Sequence, residues 1–416
     1  MSEKVNQLGK LVNWEKVHKE WLHIVWTQDT KELVKKVKNK IQALLDLAHM
    51  NAQYPSIREK ITSEIIPSYK EFACWELIST LEGSIRWKHV YFFSDPSWDY
   101  QEEVSKKDLL EEKKKWPKNT NNKLLRSLLE AKSKSSLNDK LLHDLFALSL
   151  LKTHWAKTTN LVQACMPYAR QDDMTPKKRQ PASLEKLWDM ISSSTWDNGY
   201  VITADIHNNS AARWVFSNTN FVNLYSWWFI EECINYIWWK DIVLSWADQW
   251  WDKKISAISE ELKLKNIVVL KTRDYSKENI VDETDVYWDI EWKDILIHDD
   301  MLDTGWTMCT LLREMLKKKP RSINIAVTHG MFNWKAIEKL EKVIKESNWV
   351  IQNVYMTNSI NKKWLPDFIK QIDLSNILAN NILRIYKGLG LERNDNTDYT
   401  KGEKEEDWLE IEKKEK

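Results

Sequence analysis

The sequence predicts an α/β protein made of two consecutive units, each a mostly parallel sheet flanked by helices. Two observations predict it. From about His23 onward, short β-branched runs alternate with longer amphipathic segments, the rhythm of parallel strands joined by helical crossovers. The length, 416 residues, suits two cores of about 100–200 residues each.

Strands are expected at 159–163, 200–204, 241–244, 266–270, 294–298, 323–328 and 350–356, each a short run rich in apolar and β-branched residues. Helices are expected at 30–45, 141–153, 183–193, 253–262, 307–318, 335–346 and 376–387, longer stretches whose apolar residues return every three or four positions. The series divides near 219–223, giving an N-terminal domain at 21–220 and a C-terminal domain at 221–391. Residues 1–20 form a mixed-charge extension without the apolar core of a signal peptide. Residues 97–137 are rich in Lys, Glu, Ser and Asn and read as an insertion, either a solvated helical hairpin or a partly disordered loop. The charged tail at 392–416 has no periodic apolar residues and is expected to be disordered. No tandem repeat at solenoid spacing is present.

With 62 basic and 61 acidic residues the formal charge is +1, a balance that calls for neither nucleic acid nor an anionic membrane as partner. Cys74, Cys165, Cys233 and Cys309 are far apart and form no CxxC pair, which argues against a zinc site or a disulfide framework and suits a reducing cytoplasm. The most apolar stretch, 221–239, is interrupted by Asn223, Glu231, Glu232 and Asn235 and is not read as a membrane span.

Twenty-five tryptophans stand against eight glycines, whereas Gly ordinarily makes up about 7% of a protein. The tryptophans occupy turn-like positions, and Trp227-Trp228, Trp238-Trp239 and Trp250-Trp251 read as Gly-Gly pairs. The expectation is that UGA codons meaning glycine are written here as Trp. An authentic set of stacking platforms or a membrane-interface belt would cluster; these residues are spread along the chain.

The strongest chemical motif is His298-Asp299-Asp300-Met301-Leu302-Asp303-Thr304-Gly305-Trp306-Thr307, between an expected strand and an expected helix. Backbone N–H groups and hydroxyls at a helix N-terminus bind phosphate, while carboxylates at the strand end accept hydrogen bonds from vicinal sugar hydroxyls or hold Mg²⁺ through water. This motif resembles the phosphoribosyl-diphosphate loop shared by type I phosphoribosyltransferases and ribose-phosphate diphosphokinase.

Further segments separate those families. Tyr168-Ala169-Arg170-Gln171-Asp172, followed by Arg179-Gln180-Pro181-Ala182-Ser183, is similar to the ATP-binding stretch of ribose-phosphate diphosphokinase. Ala204-Asp205-Ile206-His207 resembles that family's Asp-Leu-His segment, whose His lies at the Mg²⁺–ATP site. Trp246-Ala247-Asp248-Gln249-Trp250-Trp251 resembles its Ser-Pro-Asp-x-Gly-Gly turn, with Trp246 and Ala247 as departures and Asp248 at the metal-binding position. Lys271-Thr272-Arg273 stands where the family has the cations of its catalytic flexible loop. Phe72-Ala73-Cys74-Trp75-Glu76 resembles a Phe-Ser-Asp-Gly-Glu segment that reaches the nucleotide, with Cys74 in place of Asp. Ser84-Ile85-Arg86-Trp87, Asn138-Asp139-Lys140-Leu141, Thr328-His329-Gly330-Met331-Phe332 and Thr357-Asn358-Ser359-Ile360 add matches in order. Trp26, Trp75, Trp87, Trp214, Trp250, Trp251, Trp306 and Trp334 fall on glycines of the family pattern.

The resemblance implies two phosphoribosyltransferase-like domains and transfer of the diphosphoryl group of Mg·ATP to the anomeric hydroxyl of ribose 5-phosphate. It implies that Phe72, Cys74, Trp75, Glu76, Arg170 and Gln171 bind ATP, and that His207 and Asp248 hold Mg²⁺. Lys271 and Arg273 are then catalytic, and Arg273, Asp299, Asp300, Asp303, Thr304, Gly305, Trp306 and Thr307 bind ribose 5-phosphate. It also implies a homo-oligomer, a hexamer in the family, in the cytoplasm. The alternatives are a non-catalytic regulatory paralogue, which loss of Lys271, Arg273 or His207 would have favoured, and a base-specific phosphoribosyltransferase, which would not need Arg170-Gln171.

Overall fold

The second strand of each parallel sheet lies at its edge, beside the first, and the later strands extend the sheet on the first strand's other side. In this computed structural model residues 22–27, 30–50, 62–65, 70–71, 77–78, 84–95, 137–172, 181–195, 199–209, 211–212, 220–237, 241–246, 258–267, 269–273, 281–286, 290–333, 335–362 and 365–387 are described. The expected extension, the tail and the insertion up to residue 136 lie outside them. The chain divides into two units, Met1–Ile202 with Asn218–Asn220, and Thr203–Ser217 with Phe221–Lys416.

In the first unit the sheet begins with β1 (Leu22–Trp26), β2 (Thr62–Ile65), β5 (His89–Phe93), β6 (Thr158–Val162) and β7 (Tyr200–Ala204), and the order continues to β8 (Asn220–Leu224). Its order is β2-β1-β5-β6-β7-β8, and β1, β2, β5, β6 and β7 pair in parallel. The helices are α1 (Lys31–Met50), α2 (Leu137–Thr153) and α3 (Ser183–Ser194). They bury Val37, Ile41, Leu148, Leu151, Leu184 and Ile191, and the strands bury Ile24, Val90, Phe92 and Leu161, a sheet buried on both faces as parallel sheets are.

The second unit also holds a six-stranded sheet, all of it parallel, whose order places the second strand at the edge. Its strands are β9 (Ile242–Trp246), β10 (Lys265–Ile267), β13 (Asp294–Leu302), β14 (Ser322–Gly330), β15 (Ile351–Thr357) and β16 (Ile369–Ile372). Its helices are α4 (Trp227–Tyr236), α5 (Trp306–Lys317), α6 (Ala336–Glu346) and α7 (Ser375–Tyr386). Strand alternation sends Ile295 and Ile297 into a core with α5 and α6, and Leu296 into one with Phe229 and Ile230 of α4.

The two sheets follow the same strand order, and each carries an antiparallel hairpin between its second and third strands. These are β3 (Lys70–Glu71) with β4 (Leu77–Ile78), and β11 (Val269–Arg273) with β12 (Val281–Val286). The expected single strand at 266–270 is therefore corrected: Lys265–Ile267 pairs in the main sheet and Val269–Arg273 in the hairpin. Ile267-Val268-Val269-Leu270 is one unbroken apolar run, and periodicity cannot see a change of partner inside such a run. Among the described residues no helix is long and apolar enough to cross a membrane.

Four tryptophans, Trp87, Trp155, Trp292 and Trp349, have φ between 58° and 69° and are 65%, 59%, 71% and 81% exposed. The left-handed region costs a residue with a Cβ about 1–2 kcal/mol, and an indole that remains in water gains little to offset it.

Candidate active site

The acidic loop begins where β13 outruns a neighbour. β13 pairs with β14 as far as Leu302 opposite Gly330, but with β9 only as far as His298 opposite Trp246. The strand order reverses between β9 and β13, and ligands of open α/β sheets bind at the carboxyl ends of strands at such a switch point. Alternation then separates the acidic pair. Asp299 shares a side with Ile295 and Ile297 and is half-exposed, whereas Asp300 shares the side of Leu296 and His298 and is buried.

The following loop is held by Met331, Phe332, Asn333 and Lys339. Met331 and Phe332 N–H groups donate to the Leu302 carbonyl, and Asn333 N–H to the Asp303 carbonyl. Asn333 Nδ2 donates to Asp303 Oδ1 at 2.9 Å, and Lys339 Nζ to the Thr304 carbonyl at 3.0 Å. Gly305 has φ +70°, and a Cβ there would lie 3.4 Å from the Ala336 Cβ. The left-handed residue of the loop is thus Gly305; Trp306 opens α5 and is 56% exposed. Asp303, Thr304 and Thr307 are half-exposed around the first turn of α5, whose N–H groups have no intrahelical acceptors and suit an anion.

The turn after β7 carries the second motif. Asp205 is buried in the left-handed region, φ 42°, a conformation Asp tolerates better than most residues. Its Oδ2 accepts from Thr328 Oγ1 at 2.7 Å and lies 3.6 Å from His298 Nε2. His329 Nε2 donates to the Ala204 carbonyl at 2.9 Å, and Asn223 Oδ1 accepts from Ile206 N–H at 3.1 Å. Thr357 Oγ1 donates to the Thr328 carbonyl at 2.7 Å. Gly330 has the room it needs only without a Cβ, which would meet Phe332 at 2.5 Å.

These braces bring the two motifs together. His207 Nδ1 lies 2.7 Å from Asp300 Oδ2, with the imidazole about one third exposed and the carboxylate nearly fully buried. Burial pushes the Asp300 carboxyl up, but the hydrogen bond and charge of His207 outweigh it and hold the group below its usual value. Asp205 works against that lowering and His329 assists it.

In the first unit Arg170 and Gln171 end a turn after β6. Gln171 is tied to the start of α3 by Ser183 Oγ at 2.6 Å on Oε1 and by Leu184 N–H on its carbonyl, while Arg170 is exposed. Lys271 and Arg273 lie in β11, facing Thr284 and Val281 of β12 in register. Phe72, Cys74, Trp75, Glu76 and Asp248 lie outside the described residues, as do Trp214, Trp250, Trp251 and Trp334. Among the described residues no group of three or more His, Cys, Asp or Glu forms a metal cage. His207 still fits an ion that keeps water and phosphate oxygens, because an imidazole held by a carboxylate at Nδ1 is oriented as such ligands are.

Sequence reading singled out the Thr328 and Thr357 segments as matches without a role, and Asn223 only as a polar break in an apolar stretch; their part is to brace the Asp205 turn. Lys339, beside the Thr304 carbonyl, carried no motif.

A model of the phosphoribosyl transferase domain family matches residues 255–360. Ribose-phosphate pyrophosphokinase 3 of Saccharomyces cerevisiae is 28% identical over 260 residues, 61% of this chain and 76% of its own length. Ribose-phosphate pyrophosphokinase 2 of Schizosaccharomyces pombe is 29% identical over 260 residues, 61% of this chain and 77% of its own. The crystal structure of phosphoribosylpyrophosphate synthetase from Mycobacterium smegmatis aligns with TM-score 0.65 at 18% identity, over 88% of this chain and 99% of that one, a likeness of fold. The chain is thus similar to ribose-phosphate pyrophosphokinases over 61% of its length, carries a phosphoribosyl transferase domain match, and shares the fold of a phosphoribosylpyrophosphate synthetase.

Proposed function

We propose that the protein is a ribose-phosphate diphosphokinase that makes 5-phosphoribosyl 1-diphosphate and AMP from ATP and ribose 5-phosphate. The observation that carries this reading is the meeting of His207, from the motif linked to nucleotide, with Asp300, from the ribose-phosphate loop, at 2.7 Å. A phosphoribosyl loop alone would serve a base-specific transferase equally well.

In this reading the anomeric oxygen of ribose 5-phosphate attacks the β-phosphorus of ATP in line. The bond to the α-phosphate oxygen breaks, AMP leaves, and the anomeric proton is lost to solvent or phosphate. Catalysis is then positioning and charge stabilisation, without a covalent intermediate. The first turn of α5, from Gly305 to Thr307, holds the 5-phosphate, and Asp299 and Asp303 hold the ribose hydroxyls. Arg170, Gln171 and the 72–76 segment hold the nucleotide, and Lys271 and Arg273, carried on the β11–β12 hairpin, stabilise the transferring group. His207 and Asp248 would hold Mg²⁺, which supplies charge neutralisation at the phosphates when bound. We propose a homo-oligomer, as the family resemblance implies. We place the protein in the cytoplasm, as the family resemblance implies; the described cysteines, Cys165, Cys233 and Cys309, are buried. Incubation with ATP and ribose 5-phosphate separates the readings, since neither a regulatory paralogue nor a base-specific transferase makes AMP without an added base or diphosphate.

The same proposal includes glycine at Trp positions. It is supported by the four exposed tryptophans in the left-handed region, a region glycine enters without the Cβ penalty. Peptide sequencing of the protein from its native host tests it: Gly at residues 87, 155, 292 and 349 is expected, and Trp at all four would overturn it.

A further inference from the structure

The N-termini of α5 and α6 meet at the loop that follows β13. A Cβ at Gly305, the N-cap of α5, would lie 3.4 Å from the Cβ of Ala336, the first residue of α6. Three positions on, and so on the same face of α6, Lys339 donates from Nζ to the Thr304 carbonyl at 3.0 Å and lies 5.8 Å from the centroid of the Trp306 ring. Lys335, Lys342 and Lys345 each pair with a glutamate of α6, at 3.6, 3.9 and 2.7 Å. Among the described residues no carboxylate pairs with Lys339.

A cation beside a helix N-terminus opposes the helix dipole, which favours an anion there. Burial raises the pKa of the Cys309 thiol in the first turn of α5, and the charges of Arg313 and Lys339 oppose that rise, so the field of the ammonium reaches this turn. The peptide between Thr304 and Gly305 is trans. A lysine on its carbonyl therefore turns its N–H to the opposite side.

Resting on the reading of this loop as the 5-phosphate site of a ribose-phosphate diphosphokinase, we propose that Lys339 is a positioning residue for the sugar phosphate. By holding the Thr304 carbonyl it presents the Gly305 N–H, together with the N–H groups of the first turn of α5, to the phosphate oxygens. Its ammonium is also the counter-charge of the bound dianion. A cation that is unfavourable beside two helix N-termini becomes favourable once the phosphate arrives. The Thr304 contact does not involve the side chain at residue 306, so glycine there would leave it in place.

The test uses full-length protein. Lys339→Met keeps the apolar stem and removes donor and charge, Lys339→Arg keeps both, and Lys345→Met removes a glutamate-paired lysine of the same helix. Lys339→Met should raise KM for ribose 5-phosphate about tenfold or more, the scale for a lost hydrogen bond to a charged group. Its kcat and its KM for ATP should stay within about threefold. Calorimetric titration with ribose 5-phosphate should show the same loss of affinity, Lys339→Arg should recover most of it, and Lys345→Met should show none. In the unsubstituted protein, ribose 5-phosphate should slow hydrogen exchange at the amides of residues 304–308. Absence of that protection overturns the proposal without needing any variant to fold. So does an unchanged affinity in Lys339→Met, or a Lys339→Met protein in which kcat, both KM values and Tm all worsen together, as a structural role would give. If the unsubstituted protein binds ribose 5-phosphate but makes no AMP, the functional reading fails, and the calorimetric affinities still decide the role of Lys339. If it does not bind ribose 5-phosphate, both fail.

Discussion

The Thr328 hydroxyl donates to the Asp205 carboxylate across 2.7 Å, joining residues 123 positions apart in the chain. Both are buried, so neither can exchange this bond for one to water. Asp205 sits in a backbone region that costs a side-chain-bearing residue energy, and the bond holds it there. The turn that ends β7 is in this way fixed by the end of β14, two residues before Gly330 closes the ladder against Leu302.

Thr328→Val keeps the shape and deletes the donor. A bond to a buried charged acceptor is worth about 1.5–3 kcal/mol, and urea unfolding should show a loss of about that size. Thr328→Ser should recover most of it, and equal losses in the two variants would mean that packing rather than the bond sets the stability.

Lys271→Ala should lower kcat by roughly 10³-fold or more, the scale for removing a cation that stabilises charge in phosphoryl transfer, with KM for ribose 5-phosphate within several-fold. Steady-state kinetics decide it. Near-normal turnover would remove the β11–β12 hairpin from the mechanism.

Asp144 supplies a pH test in the first unit. Burial pushes its carboxyl up from 3.8, and the neighbouring His143 with the hydrogen bonds of Ser94 and Gln163 only partly oppose that. The folded protein therefore binds more protons than the unfolded chain between 3.8 and the raised value, and stability falls as pH rises through that window. Asp144→Asn removes the titration. Its Tm relative to the parent protein should climb as pH rises above 3.8 and level once the raised value is passed, by about 2–4 °C if the effect reaches ~1 kcal/mol. A difference that is flat in pH would contradict the assignment.

The tryptophans should sort by backbone conformation. Trp349→Gly, at φ 69° and 81% exposed, should stabilise by about 1 kcal/mol, the left-handed strain relieved less the entropy of glycine. Trp188→Gly, at 6% exposure inside α3, should cost about 3–5 kcal/mol as a cavity plus a helix glycine. Thermal melts of the two proteins give the signs, and destabilisation by both would argue that Trp349 is authentic.

Much of the fold was legible because its signals are local. β13 and α5 could be read from an apolar run, an acidic end and a small-residue loop; the strand order that the two sheets share was visible only as an alternation of strands and helices. The break between Ile267 and Val269 was not legible, since both strands draw on one apolar run and only their partners differ. At the site, Asp299, Asp303 and His207 could be chosen from motif position. The pairing of His207 with Asp300 could not, because it spans 93 residues and depends on which face of β13 each carboxylate takes. Likewise nothing local marks Thr328 as the partner of Asp205.

The most direct test of the account is the fate of the γ-phosphate. With γ-³²P-labelled ATP, Mg²⁺ and ribose 5-phosphate, the label should appear in 5-phosphoribosyl 1-diphosphate, with one AMP formed for each. Formation of ADP, with a single labelled phosphoryl group on the sugar or released as phosphate, would contradict diphosphoryl transfer.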